Sequence, residues 1–322
     1  MRGHRTATGV LLTVGALLTG TLSATAAIAA PPAPAPTPAP ATRTVTTTEQ
    51  HRARTFWTAE RMRAATPLDL RLTPGAAKKL RAPRPGGTPT TVAPTAFPQA
   101  GGAWTGGGAV VKTSGRVFFT MQGRTASCSG NAVTSQNAST VITAGHCVKY
   151  QGNWHTNWVF VPAYANGQAP YGQWTAAKTL TTPQWEASED INHDIGAAVV
   201  APLNGQQLTS VTGAQGIQFN GGYNKPMYAF GFPAASPYDG SKLVYCSGNS
   251  SKDFLFSQDH SLACNMTGGS SGGPWFTGFS ETAGTGLQVS VNSFGYTFLP
   301  NRMFGPYFGN EAKALYDKAQ VS

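Results

Sequence analysis

A change in composition near residue 108 constrains what this chain can fold into. From residue 109 onwards, short runs of β-branched and aromatic residues alternate with glycine-rich turns; such runs occupy 109–111, 117–120, 139–143, 158–161, 197–200, 227–230, 243–245, 254–256 and 287–291. Runs of this kind predict short strands. No long helical segments alternate with them, which argues against a parallel βαβ sheet. We therefore expect an all-β domain that ends in one helix, at about residues 310–320.

The residues before this domain have a different character. Residues 31–40 nearly alternate Pro and Ala, which favours a stiff polyproline-type spacer. Residues 48–65 have helical spacing, with Thr48 as a possible cap and Pro67 as the end. Residues 31–107 are therefore predicted to form a Pro-rich, basic prosegment or linker that is removed by cleavage. A flexible stalk without such a role is the alternative.

The net charge of +10 is concentrated in this prefix. Residues 1–95 carry 12 Lys and Arg against 3 Asp and Glu, whereas residues 96–322 carry 11 against 10. The expected domain is thus nearly neutral, and we expect it not to bind nucleic acid. Binding of a polyanion or a cell wall through the basic prefix remains an alternative function.

Residues 1–30 are predicted to be a secretory signal peptide. Basic residues near the start precede an apolar stretch at 11–22, and a small-x-small cleavage site follows at 27–29. The apolar stretch is too short, and too often interrupted by Thr and Gly, to favour a membrane anchor. We expect a secreted, extracellular protein that has no membrane association once the signal is removed.

Export favours disulfide bonds between the four cysteines, which all lie in the expected domain. Three pairings are possible. We favour the two that are local in sequence, Cys128 with Cys147 and Cys246 with Cys264. Each would close a loop of about 20 residues, worth about 3 kcal/mol on a chain-entropy estimate.

Three short segments contain the residues that acyl transfer requires. They are residues 143–147 around His146, residues 192–196 around Asp194, and the glycine-rich residues 268–274 around Ser271. A serine hydroxyl needs an imidazole to accept its proton, and the imidazole needs a carboxylate to fix its tautomer. Flanking glycines let backbone N–H groups face the oxyanion. Asp190 competes with Asp194 for the carboxylate role, but Asp194 is preferred because it directly precedes an apolar strand.

The segment around Ser271 also fits the Gly-x-Ser-x-Gly turn of α/β-hydrolases. That fold places its Asp and His after the serine. The last histidine of this chain is His260, so an esterase of that class is excluded. The other histidines show no metal-ligand spacing either, and no metal or other cofactor is expected.

The three segments together resemble the motifs of chymotrypsin-like (trypsin-like) serine proteases. Thr143-Ala-Gly-His-Cys147 is similar to that family's histidine motif, Asp194-Ile195 to its aspartate segment, and residues 269–274 to its Gly-Asp-Ser-Gly-Gly-Pro motif. The order His, Asp, Ser also matches, with intervals of 48 and 77 residues. Cys147 beside the histidine, with Cys128 upstream, is similar to the family's disulfide. The resemblance covers about residues 108–320, and in style it is nearest to the bacterial glutamyl endopeptidases.

This resemblance implies two antiparallel, six-stranded-type β-barrels, at about residues 108–207 and 208–306, with the active site between them. It implies that the N–H groups of Gly269 and Ser271 form the oxyanion hole. It also implies that Ser293, Phe294 and Gly295 form an edge strand on which peptides bind by strand addition. The expected function is that of a secreted, monomeric serine endopeptidase, made as a zymogen, that cleaves polypeptides through an acyl-enzyme. A catalytically silent binding module on the same fold is the alternative.

Three positions depart from the family's patterns. Ser270 stands where trypsin-like enzymes carry the Asp that pairs with a new N-terminus, so activation by that ion pair is not expected. Asn265 stands at the position that forms the pocket floor in that family, and it lacks the negative charge that Lys or Arg specificity requires. Asn292 replaces the histidine that is typical of glutamyl endopeptidases, so we expect preference for a neutral side chain.

Overall fold

The structure of this protein is a computed structural model that describes residues 38–77, 86–92 and 107–322. The expected signal peptide and residues 31–37 of the spacer lie outside the described residues, as do residues 78–85 and 93–106. All of the described residues belong to one unit of the chain.

The described part of the prefix contains four short strands and three helices. They are β1 (Ala41–Thr44), α1 (Thr47–Phe56), α2 (Ala59–Ala64), β2 (Thr66–Pro67), β3 (Arg71–Leu72), α3 (Pro74–Ala77) and β4 (Thr90–Val92). Each strand pairs with a strand of the following domain rather than with another prefix strand. The prefix is therefore an integral part of the folded chain, which its composition alone did not predict.

The single prefix helix expected over residues 48–65 is wrong in two respects. The first helix is capped by Thr46, because the Thr46 side chain accepts the Glu49 N–H while the Glu49 carboxylate accepts the Thr46 N–H. This reciprocal capping box places the N-cap of α1 two residues before the expected Thr48. The helix is then interrupted at Trp57, whose buried indole N–H donates to the Asn157 carbonyl oxygen at 2.7 Å.

Residues 109–200 form a closed, six-stranded antiparallel barrel, as expected. A short helix α4 (Val110–Thr113) precedes it, where a strand was expected over 109–111. The strands are β5 (Ser114–Met121), β6 (Arg124–Ala132), β7 (Thr140–Thr143), β8 (Lys149–Tyr150), β9 (Asn153–Trp154), β10 (Thr156–Pro162), β11 (Trp174–Thr181) and β12 (Gly196–Val200), with α5 (Pro183–Ser188) between the last two. The barrel order is β11-β10-β5-β6-β7-β12, and pairing of β12 with β11 closes it. The small hairpin β8–β9 lies outside this order.

The second half of the domain forms two sheets. After α6 (Leu208–Thr212) come β13 (Gly216–Phe219), β14 (Pro226–Gly231), β15 (Val244–Asn249), β16 (Ser251–Lys252), β17 (His260–Ala263), β18 (Pro274–Ser280), β19 (Thr285–Val291), β20 (Gly295–Tyr296) and β21 (Arg302–Gly305). One sheet has the order β15-β14-β18-β19-β13-β4, with β13 and β19 parallel, and the other has the order β16-β17-β21. Strand β20 instead pairs with β3 of the prefix.

The run at residues 254–256 is not the strand that its apolar composition predicted. The backbone N–H groups of Leu255 and Phe256 donate to the carboxylate of Asp253, at 2.8 and 3.3 Å. An aspartate that accepts from N–H groups two and three residues later stabilises a turn, and this local bonding competes with strand pairing.

The C-terminal helix is confirmed as α7 (Asn310–Gln320), with Gly309 rather than Asn310 at its N-cap. Its buried face consists of Ala312, Leu315, Tyr316 and Ala319. These side chains pack into the same apolar cluster as the barrel residues of the first half. The mostly-β fold class with a terminal helix is thus as expected.

Candidate active site

His146 lies on a short 3-10 turn (Gly145–Cys147) that follows β7. The turn passes close beneath Trp185, since a Cβ atom at Gly145 would lie 2.8 Å from that ring. A disulfide between Cys147 and Cys128 ties the turn to β6. The histidine is therefore held on both sides, by a strand before it and by a covalent bond after it.

Asp194 contacts His146 from a second 3-10 turn (Ile191–His193), immediately before β12. Its Oδ2 lies 2.7 Å from His146 Nδ1, and its Oδ1 accepts the backbone N–H of His146 at 2.8 Å. The hydroxyl of Ser293 donates to Oδ2 at 2.5 Å. All three residues are buried. The carboxylate thus fixes both the ring and the backbone of the histidine.

Asp190, the competing carboxylate, lies elsewhere. Its Oδ2 is 3.1 Å from His193 Nδ1, and its Oδ1 accepts the side-chain N–H of Asn192 at 2.8 Å. The structure therefore brings Asp194, and not Asp190, onto His146. A spacing of four residues between the two aspartates was too small for the sequence alone to exclude either.

Ser271 reaches the histidine turn from the second half of the domain. Its carbonyl oxygen lies 3.7 Å from Cys147 Sγ and accepts the Ser129 N–H at 2.7 Å. The following residue, Gly272, has φ +80°, and a Cβ atom there would lie 2.1 Å from Thr143 Oγ1. Only glycine permits this close approach, which sets the serine against the first barrel.

Gly269 supplies a backbone donor beside the serine. With φ +93°, it directs its N–H to the carbonyl oxygen of Leu68 at 2.9 Å, and the Ser271 hydroxyl donates to the same oxygen at 3.4 Å. A carbonyl thus lies where an oxyanion hole would hold one. His146 Nε2 is buried without a hydrogen-bond partner among the described residues. Among the side-chain nitrogen and oxygen atoms of His146, Asp194 and Ser271, it is the one that has no hydrogen bond within the described structure.

A cavity of about 320 Å³ adjoins Ser271. It is lined by the prefix residues Asp69 and Arg71 and by residues of the second half, including Asn265, Thr267, Ser293, Phe294, Gly295 and Arg302. Asn265 is engaged, since it accepts the Tyr238 hydroxyl at 2.7 Å. The substrate residues expected from sequence thus surround one cavity.

Arg302 is a charged residue of the domain that lines the cavity and that sequence reasoning missed. Its Nε donates to Ser261 Oγ at 2.5 Å and a terminal nitrogen donates to Ser251 Oγ at 3.3 Å. Neither partner carries a charge, so the arginine's positive charge is not neutralised by them. No local sequence pattern around residue 302 indicates that it lines a pocket, because the pairing of β21 with β17 brings it to the cavity.

Asn292 contributes to the site in a way that the sequence did not indicate. Its side-chain N–H groups donate to the carbonyl oxygens of Phe230 and Ser270, at 2.8 and 3.0 Å, and its Oδ1 accepts the Trp275 indole N–H at 2.7 Å. The residue is fully buried. It braces the turn that carries Ser271, at the position where the resemblance placed a specificity histidine.

Two cysteines and one histidine lie close enough together to suggest a metal site, but the two cysteines form a disulfide. Ligand atoms of Cys128, His146 and Cys147 lie within 4.8 Å of one another. Both sulfur atoms belong to the disulfide, however, and zinc requires thiolates.

A second disulfide joins Cys246 to Cys264, so both sequence-local pairings are present.

The first barrel carries a buried His–Asp pair, and a serine turn from the second half of the domain faces this pair. This is the architecture of chymotrypsin-like serine proteases. The structure of the protease Anisep from Arthrobacter nicotinovorans is 46% identical, with a TM-score of 0.63, and the match covers 66% of this chain and 97% of that one. A thermostable serine protease, AL20, from an extremophilic microorganism is 41% identical with the same TM-score, over 66% of this chain and 99% of that one. The chain belongs to the chymotrypsin-like serine proteases and is a peptide-bond hydrolase.

More distant comparisons add one further structure with the same fold and one weaker sequence match. A Glu endopeptidase structure is 15% identical with a TM-score of 0.55, over 70% of this chain and 99% of that one, which shows the fold alone. An extracellular metalloprotease of Bacillus subtilis (strain 168) is 26% identical over 186 residues; the match spans 57% of this chain and only 56% of that protein. No known family profile matches the chain. No helix within the described ranges is long and apolar enough to cross a membrane.

Proposed function

We propose that this protein is an exported serine endopeptidase in which Ser271 is the nucleophile, His146 the general base and Asp194 the orienting carboxylate. The observation that carries the proposal is the 2.7 Å contact between His146 Nδ1 and Asp194 Oδ2, next to a serine whose turn presents the Gly269 N–H to a carbonyl. The similarity to two serine proteases at more than 40% identity supports it.

In this mechanism, Asp194 keeps the Nδ1 proton of His146 in place, so that Nε2 is free to accept the Ser271 proton. The serine oxygen then attacks the peptide carbonyl, and the oxyanion is stabilised by the N–H groups of Gly269 and Ser271. His146 passes the proton to the departing amine, which leaves an acyl-enzyme. Water, deprotonated by the same imidazole, releases the product acid. No cofactor takes part in these steps.

The organisation of the chain is part of the proposal. Residues 1–30 act as the signal peptide, residues 31–107 as a prosegment, and residues 108–322 as the peptidase domain. Export is supported by the sequence of the signal, by the two disulfides and by the extracellular relative. The active protein is proposed to be a monomer that acts on polypeptides.

The pocket composition favours substrates without a positive charge at the cleaved residue. The domain contributes Asn265 and Thr267, which are neutral, and Arg302, which is cationic. A Lys or Arg side chain would therefore meet a like charge and no carboxylate from the domain. We therefore propose substrates whose cleaved residue has a neutral side chain, or an acidic one that pairs with Arg302.

The nucleophile can be tested by replacing each of the two adjacent serines. Ser271→Ala should abolish both hydrolysis of labelled casein and covalent labelling by a fluorophosphonate probe. Ser270→Ala is the matched control, because the Ser270 hydroxyl donates to the Thr267 carbonyl oxygen at 2.8 Å and has no part in the proposed chemistry. Undiminished labelling of Ser271→Ala would disprove the assignment, as would loss of labelling in Ser270→Ala alone.

A further inference from the structure

Residues 66–72 of the prefix, here called the cleft segment, cross the proposed active site. The segment enters along the first barrel, where β2 pairs in parallel with Ala126 and Ser127 of β6. The Leu68 N–H donates to the Ser127 carbonyl oxygen at 3.0 Å. The segment leaves along β20, the expected substrate edge. It thus bridges both halves of the domain at the site of the proposed chemistry.

Leu68 occupies the proposed oxyanion site. Its carbonyl oxygen accepts both the Gly269 N–H, at 2.9 Å, and the Ser271 hydroxyl, at 3.4 Å. Since the serine proton is directed to this carbonyl, it is not donated to His146 Nε2, which has no partner among the described residues. One carbonyl therefore blocks both the oxyanion donor and the activation of the nucleophile.

The same segment occupies the expected substrate edge. The Gly295 N–H donates to the Leu70 carbonyl oxygen at 3.0 Å, and the Thr297 N–H donates to the Leu72 carbonyl oxygen at 3.1 Å. The Gly295 N–H belongs to the edge strand that a peptide substrate is expected to use for strand addition, and the Thr297 N–H extends the same pairing. A substrate and the cleft segment cannot be bound there at the same time.

Leu70 anchors the segment through apolar burial. It is only 8% exposed, in a cluster with Trp185, Ile191, Phe294, Tyr296 and Phe304. Burying a leucine side chain contributes favourably to docking, and a charge at this position would have no partner. Leu70 is thus the one buried side chain of the cleft segment, and we expect its replacement by a charged residue to loosen the segment.

The direction of the cleft segment differs from that of a substrate. A residue that acylates the serine places its own side chain in the specificity pocket, but Leu68 packs against the core of the first barrel. The residues that follow it, Asp69 and Arg71, line the pocket instead. The chain also runs parallel to β20 as it moves away from Ser271 towards its C-terminus. If the Leu68–Asp69 bond were cut, the residues from Asp69 onwards would be the leaving half. They lie instead where the acyl half of a substrate is expected to bind.

We propose that the cleft accepts an extended apolar strand in this reversed direction, and that the cleft segment is its built-in occupant, holding the protease inactive without being cleaved at Leu68–Asp69. This inference rests on the proposed function. Occupation of the cleft would then control activity in place of the N-terminal ion pair, which Ser270 cannot form. Removal of the segment frees Gly269, Gly295 and the Ser271 hydroxyl together.

The test compares full-length chains that carry Leu70→Asp, Leu70→Ala or Ala76→Asp. Ala76 is exposed, six residues further along the prefix, so Ala76→Asp adds the same charge outside the cleft. Fluorophosphonate labelling of Ser271 is followed by intact mass, on chains that retain the prefix. We expect labelling to be at least about tenfold faster in Leu70→Asp than in the wild type, since a larger fraction of molecules has an open cleft. Leu70→Ala should show a smaller increase, and Ala76→Asp none.

A second measurement does not depend on catalysis. In Ser271→Ala chains, amide hydrogen exchange is measured for peptides that contain Gly269 and Gly295. Both should exchange faster when Leu70→Asp is added, and not when Ala76→Asp is added. Equal exchange and equal labelling in all variants would overturn the inference. Labelling of a residue other than Ser271 would overturn the proposed function instead, while the exchange data would still decide whether the segment occupies the cleft.

A third experiment tests the reversed direction of the cleft segment. When the Ser271→Ala chain is incubated with processed wild-type enzyme, the prefix should be cut at other bonds while Leu68–Asp69 remains intact, as read by mass spectrometry. Cleavage at Leu68–Asp69 as fast as the first cut elsewhere in the prefix would overturn it.

Discussion

The carboxylate of Asp194 holds His146 at two points, with Oδ2 at 2.7 Å from Nδ1 of the ring and Oδ1 at 2.8 Å from the backbone nitrogen. One side chain thus sets both the tautomer of the imidazole and the position of the turn that carries it. Ser293 adds a third contact to the same carboxylate, at 2.5 Å. The site therefore depends on charge at Asp194 as well as on its shape.

Asp194→Asn should reduce kcat by about 10⁴-fold, because an amide that donates to Nδ1 stabilises the tautomer that cannot accept the serine proton. Asp190→Asn is the matched control, since Asp190 contacts His193 and Asn192 instead. Both variants are assayed on labelled casein across a pH series. Similar losses in the two variants would contradict the assignment of Asp194.

The two disulfides permit a matched comparison. They span 19 and 18 residues, so removing either one should destabilise the fold similarly, by about 3 kcal/mol on the chain-entropy estimate. Only the Cys128–Cys147 bond adjoins His146. We expect Cys128→Ser/Cys147→Ser to lower kcat below that of Cys246→Ser/Cys264→Ser, at matched loss of thermal stability. Equal kcat values for the two double variants would show that the disulfide does not position the histidine.

Asn292→Leu should lower both stability and turnover. The change removes the Asn292 hydrogen bonds to the carbonyl oxygens of Phe230 and Ser270 and takes away the acceptor of the buried Trp275 indole N–H, at a cost of at least about 2 kcal/mol. Thermal unfolding is measured in the Ser271→Ala background, and kcat in the active enzyme. Asn249→Ala, at an exposed strand end, is the control and should change neither. A stable Asn292→Leu with wild-type turnover would refute the bracing role.

Stability should fall as the pH decreases from about 6.5 towards 3. Burial lowers the pKa of His260 from 6.5 to about 3. Below pH 6.5 the unfolded chain therefore binds a proton that the folded chain excludes, which destabilises the fold by about 3 kcal/mol at pH 4. His260→Phe retains an aromatic ring and should flatten this decline in thermal unfolding of the Ser271→Ala chain. His51→Phe, at an exposed helix position, should not; an equal slope in all three chains would contradict the prediction.

Arg302→Gln should increase cleavage after Lys relative to cleavage after a neutral residue by about tenfold, because it removes a like charge from the pocket. The ratio is measured with paired peptides that differ only at the cleaved residue. Arg124→Gln, at an exposed position, removes one positive charge elsewhere and serves as the control. If both variants shift the ratio equally, net charge rather than the pocket determines the preference.

Local sequence patterns were sufficient wherever short-range bonding or periodicity decided the structure. Four of the six barrel strands, namely β5, β7, β10 and β12, and the apolar face of α7 follow from residue spacing, whereas β6 and β11 were not predicted. The failures have local causes as well. Thr46 rather than Thr48 caps α1 because it forms a capping box with Glu49, and the run at 254–256 becomes a turn because Asp253 collects its N–H groups.

The sequence by itself determined the class of chemistry, through His146, Asp194 and Ser271 in that order with glycines beside the serine. Only the tertiary structure decided what Asn292 braces and which charge lines the pocket. The contact between Leu68 and Ser271 joins residues 203 positions apart. No local pattern encodes such a pairing, because it arises from burial of Leu70 and from free backbone donors on a distant edge strand.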